Sequence, residues 1–182
     1  MNKSTLSLIV IDDDLEALAL RAALEWWQVQ VTMHFIGKAQ DVVDVFSDGN
    51  LSPHVCIAAH GIDKDGQWGF GLPELADEIA KEQLYNKLLL PSDVSRFVKL
   101  RGQNVLSLAC STGTKEMAEA FLKKGAGSYV GPPDAQFGSA SLYFALSYYY
   151  WLFAKKKSVK EAFDNAAALM DKKGDRFELF RR

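Results

Sequence analysis

The sequence predicts an α/β fold, a three-layer arrangement in which a mostly parallel central sheet carries helices on both faces. Three observations lead there. Short runs rich in Leu, Ile, Val and Ala recur at 6–11, 54–59 and 105–109, the pattern of central strands covered on both sides. Segments of helical spacing alternate with them, and the order strand–helix–strand–helix–strand needs crossover connections, which make neighbouring strands parallel. The length, 182 residues, suits one domain with a sizeable core. The whole chain, 1–182, is therefore expected to form a single domain.

The elements follow in order. The apolar run 6–11 is the first strand. Residues 15–27 are helix formers with Leu15, Leu18, Leu20 and Leu24 near helical spacing, and one of Asp12, Asp13 and Asp14 is placed to cap them. A second strand is expected at 29–36 and a second helix at 38–46, before Asp48-Gly49-Asn50 breaks the chain. Strands follow at 54–59, 105–109 and 128–130. A helix at 115–124 precedes Gly125, which sits where a left-handed C-cap is wanted. Within 61–102, Asp65-Gly66 marks a tight hairpin turn, and a helix is expected at 75–82. The aromatic stretch 142–154 reads as a buried or half-buried helix closed by Lys155, Lys156 and Lys157, cations suited to a helix C-terminus.

Composition narrows the function classes. Apolar residues make up 48% and charged residues 24%, which excludes collagen and long disorder. Twenty-one Lys and Arg against 23 Asp and Glu leave a net charge of −2, which argues against a nucleic-acid partner, since that wants a concentrated basic face. The stretch 142–154 is too short to span a bilayer, and the N-terminus lacks the features of a signal peptide. Two cysteines, Cys56 and Cys110, cannot build a disulfide framework and fit a reducing, cytoplasmic setting. No phosphate-binding Gly-rich motif and no Gly-x-Ser-x-Gly elbow is present, and no cofactor is expected.

In parallel sheets, sites form beyond the carboxyl ends of the strands. There the chain places Asp12, Asp13 and Asp14, then His60-Gly61, then Cys110-Ser111-Thr112-Gly113, then Gly131-Pro132-Pro133-Asp134. A Cys and a His at one edge of adjacent strands form a nucleophile–base pair. Thr112 or Thr114 is placed to cap the helix after Cys110, whose positive end favours a thiolate. Gly61 allows close backbone approach, and its N–H, with that of Cys110, suits an oxyanion. A metal site built from His54, Cys56 and His60 fails on distance, because six residues of strand span about 20 Å. Cys56 reads as core, and His54 belongs at the opposite edge.

These motifs resemble a known family. Residues 55–61, ending in His60-Gly61, resemble the His-Gly strand of caspase-like (clan CD) cysteine peptidases, and Leu106 to Gly113 resembles their nucleophile strand. His60 and Cys110 lie 50 positions apart, about the spacing that caspases show. Residues 125–131 and 158–163 look most like the CHAT-type members. The resemblance implies a caspase-like fold and cysteine endopeptidase activity on a protein or peptide substrate, with His60 and Cys110 as the dyad; it leaves the control unexplained and allows an activating partner protein. It implies that Asp134 lines a pocket for a basic residue before the scissile bond (P1). The Gln-Ala-Cys-x-Gly sequence of true caspases is not present, so cleavage after aspartate is not implied. Two other readings stay open: a catalytically silent interaction module of the same fold, and a receiver-like signalling domain. The second meets the difficulty that His60, not a phosphoacceptor Asp, follows the third strand.

Overall fold

The computed structural model describes residues 4–73, 88–137, 139–170 and 175–182. Its main strands are β1 (Thr5–Ile11), β2 (Gln30–Phe35), β3 (His54–Ala59), β7 (Asn104–Ser107), β8 (Ser128–Gly131) and β9 (Glu178–Arg181). They form a six-stranded sheet in the order β2-β1-β3-β7-β8-β9. The first five are parallel, and β9 closes one edge antiparallel to β8. Three further strands, β4 (Gly61–Lys64), β5 (Gln67–Gly71) and β6 (Leu88–Leu89), make a small antiparallel sheet.

Among the described residues, six helices, α1 (Asp14–Trp26), α2 (Ala39–Ser47), α3 (Pro91–Phe97), α4 (Lys115–Lys123), α5 (Ala140–Tyr149) and α6 (Val159–Ala167), cover the main sheet. The alternation of side chains along each strand splits the core in two. Ile9, Val55, Ile57, Val105 and Tyr129 face Phe46 of α2, Val94 of α3 and Phe121 of α4. Leu8, Cys56, Ala58, Leu106 and Val130 face Leu20 of α1, Phe144 and Tyr148 of α5, and Ala162 of α6. This is the expected three-layer α/β architecture.

The expected strands and helices fall within a residue or two of those observed, except at 142–154. There α5 ends at Tyr149 and a π-helical turn runs through Tyr150–Ala154. The Lys155 N–H reaches the Tyr150 carbonyl at 3.0 Å, and its ammonium lies 5.3 Å from the centre of the Tyr150 ring. The lysine run thus ends a helix, as its charge suggests. Among the described residues no helix is long and apolar enough to cross a membrane. The hairpin turn at Asp65-Gly66 is present with φ of 54° and 79°, the left-handed pair that matches strand twist. Gly125, at φ 109°, ends α4 against the Leu100 carbonyl, where a side chain has no room. The helix expected at 75–82 lies outside the described residues.

Candidate active site

The strand registers bring the sequence-predicted residues to one edge. Ile11 pairs with Ala59, Ile57 with Ser107, and Leu106 with Val130. Asp12, His60, Cys110 and Asp134 all follow these rungs within a few residues, so they lie beyond the carboxyl ends of four neighbouring strands. Two main-chain contacts tighten the arrangement. The Gly71 N–H donates to the His60 carbonyl at 2.9 Å, tying the hairpin to the end of β3. Gly61 lies directly against the Cys110 main chain, so close that a Cβ there would overlap the Cys110 carbonyl. His60 is exposed and Cys110 half-buried.

The turn that presents Cys110 is held by buried polar groups. The Thr112 hydroxyl donates to the Ala109 carbonyl at 2.7 Å and lies 2.7 Å from the Ser107 hydroxyl. The Tyr129 hydroxyl donates to the Thr112 carbonyl at 3.0 Å. The Gly113 N–H donates to the Pro132 carbonyl at 2.7 Å. Ser111 adopts φ 56°, a left-handed conformation that costs a non-glycine residue about 1–3 kcal/mol and persists only where its surroundings enforce it. Of the two threonines expected to cap α4, Thr114 does so, accepting from the Met117 N–H at 3.2 Å. Thr112 instead braces the turn.

The loop after β8 closes over the thiol. The Gln136 N–H donates to Cys110 Sγ at 3.3 Å, and the Asp134 carbonyl accepts from the Ser111 N–H at 3.2 Å. The Asp134 carboxylate faces a guanidinium: Nε and Nη2 of Arg176 each lie 3.1 Å from its Oδ2. Beside them the Phe137 N–H donates to Asp175 Oδ1 at 2.9 Å. Gln136 donates through Nε2 to the Asp134 carbonyl at 3.1 Å. Its Oε1 is buried and has no hydrogen-bond partner among the described residues.

Sequence reasoning missed two residues of this edge. Gln136 carried no signal, because its main chain makes the contact. Glu16 lies past the acidic run 12–14, whose Asp13 was placed at this edge but read as helix capping. Asp13 does occupy the N-cap of α1, but no side-chain capping hydrogen bond forms. Burial holds its carboxyl above the usual range, opposed by attraction to His60. Glu16 is raised as well, by burial and then by repulsion from Asp13, with His60 again opposing. Two partly desolvated acids thus lie within electrostatic reach of His60.

The remaining candidates separate as expected. Cys56 is fully buried, its thiol pushed up to about 12 by desolvation. His54 lies at the far end of the sheet, edge-on to Phe153 with ring centres 5.1 Å apart. Among the described residues no three His, Cys, Asp or Glu side chains are grouped to hold a metal ion.

No protein-family model matches the sequence, and no curated protein matches it. The fold has a clear relative among solved structures. The crystal structure of gingipain R, an Arg-specific cysteine proteinase, superposes with a TM-score of 0.67 over 97% of this chain at 13% identity. The chain therefore has the caspase-like α/β fold of that proteinase. It spans less than half of it, 46% of the proteinase chain.

Proposed function

We propose that this chain is a caspase-like cysteine peptidase in which Cys110 is the nucleophile and His60 the general acid and base. The observation that carries the reading is the packing of Gly61, the residue after His60, against the Cys110 main chain, beyond the carboxyl ends of the adjacent strands β3 and β7. In this reading the Cys110 thiolate attacks the scissile carbonyl carbon, and the oxyanion is held by the Gly61 and Cys110 N–H groups. His60 gives its proton to the departing amine, leaving an acyl-enzyme. It then takes a proton from water, which attacks the thioester and releases the acid. No cofactor enters these steps.

Asp134 is proposed to bind a basic P1 side chain. Its carboxylate already takes a guanidinium, that of Arg176, on the loop that touches the thiol. A closer kinship with CHAT-type members rests on residues 125–131 and 158–163. Two free thiols fit action on a protein substrate in the reducing cytoplasm. The engagement of Sγ by Gln136 and of Asp134 by Arg176 also favours a second reading, a silent interaction module.

One experiment separates them. Purified protein and its Cys110→Ala variant are offered peptide libraries with basic and with acidic P1 residues, and Cys110 is probed with an acyloxymethyl ketone. The peptidase reading expects cleavage lost in C110A and labelling lost in His60→Ala. No cleavage, with Cys110 labelling no faster than a free thiol, assigns the chain to the interaction modules.

A further inference from the structure

The closed loop over Cys110 is held from outside. Residues 134–137 touch the thiol side through the Gln136 N–H and the Asp134 carbonyl. The chain leading into β9 touches their other side, where Asp175 takes the Phe137 N–H and Arg176 takes the Asp134 carboxylate. Consecutive residues of opposite charge thus grip both ends of a four-residue segment. The grip is anchored, since β9 pairs with β8 from Glu178 to Arg181.

We infer that Asp175 and Arg176 form a strap that holds the 134–137 loop shut over Cys110 and keeps the thiol latent. The inference rests on the reading of Cys110 as the reactive group. The pair Asp134–Arg176 is solvent-exposed, with 60% and 55% of the side chains accessible, so it is a releasable contact. A basic substrate side chain that takes Asp134 would displace Arg176 and free the thiol in the same event.

The test reads alkylation of Cys110 by iodoacetamide, which has neither a P1 side chain nor a peptide bond, with buried Cys56 as an internal monitor of the fold. Asp175→Ala and Arg176→Gln are each expected to speed Cys110 alkylation about threefold or more, within the range an exposed pair commands, while Cys56 stays unlabelled. The swap Asp134→Arg with Arg176→Asp restores opposite charges and is expected to return the rate toward that of the natural protein. An unchanged rate in both single variants overturns the strap, as does a swap that alkylates as fast as they do. Should Asp175→Ala loosen the core, Cys56 labels as well, and Arg176→Gln with the swap decides. A strap variant that alkylates fast yet cuts no peptide leaves the strap standing and removes the peptidase reading.

Discussion

Gly61 meets the Cys110 carbonyl with no room for a side chain between them. The end of β3 and the turn after β7 therefore touch through their main chains, which is what sets His60 beside Cys110. Gly61→Ala must push one of them away, an overpacking that costs about 1–3 kcal/mol. At roughly 2–4 °C per kcal/mol for a chain of this size, the melting temperature should fall by about 2–12 °C, with cleavage lost as well. Gly66, at φ 79° with open space around it, is the comparison. Alanine there meets backbone strain of about 1–2 kcal/mol and should leave any cleavage intact. Equal catalytic effects at the two glycines would show that the Gly61 contact has no part in the chemistry.

The two thiols should behave as different chemical groups. Cys56 is fully buried, and its thiol is pushed up to about 12, so at pH 7.5 it is neither ionised nor reachable. Cys110 is half-buried at the sheet edge. Mass spectrometry after iodoacetamide treatment long enough for the strapped thiol to react should find one adduct in the native protein, on Cys110, and two after denaturation. Native labelling of Cys56 would contradict the buried position given to it.

Much of this was legible in the sequence for a plain reason. Central parallel strands read as continuous apolar runs, and the residue that leaves such a run stands at the sheet edge, so His60 and Cys110 could be placed from Ala59 and Ala109. The missed elements are those whose signals are local. Pro91 at the first position of α3 marks a start, but that helix, with seven residues, is too short for its periodicity to stand out; on α6 the signal is the capping box of Ser158 with Glu161. The edge strand β9 is half-exposed, so its residues need no apolar run. The contact of Gln136 was out of reach because its main chain makes it, and that of Arg176 because it depends on where β9 returns beside β8.

His54 makes a pH prediction at the far end of the sheet. Burial lowers its pKa from 6.5 to about 4, so between those values the unfolded chain binds a proton that the folded chain does not. Stability therefore falls as pH drops from about 6.5 toward 4, because folding is disfavoured wherever the unfolded state holds more protons. His54→Phe keeps the contact with Phe153 and removes the titration. Thermal melts at pH 7.5 and 4.5 should show a smaller loss for this variant than for the natural protein. Equal losses would mean that His54 is hydrated and titrates normally.

The acid that reads a basic P1 residue can be found by kinetics. If Asp134 meets the substrate guanidinium, Asp134→Asn removes an exposed ion pair worth about 0.2–1 kcal/mol. In kcat/KM for P1-Arg peptides that is a loss of up to about fivefold, since 1.4 kcal/mol is tenfold. P1-Leu peptides should lose little, because the carboxylate does nothing for an apolar side chain. Arg176→Gln should act in the opposite direction on P1-Arg peptides, by removing the resident competitor. Asp13 supplies the contrasting outcome. It stands half-buried at the end of β1, coupled to Glu16 and His60, and a less exposed carboxylate binds a cation with less screening. A preference for arginine that survives Asp134→Asn and collapses in Asp13→Asn would move the pocket to β1, leaving Asp134 as the anchor for Arg176 alone.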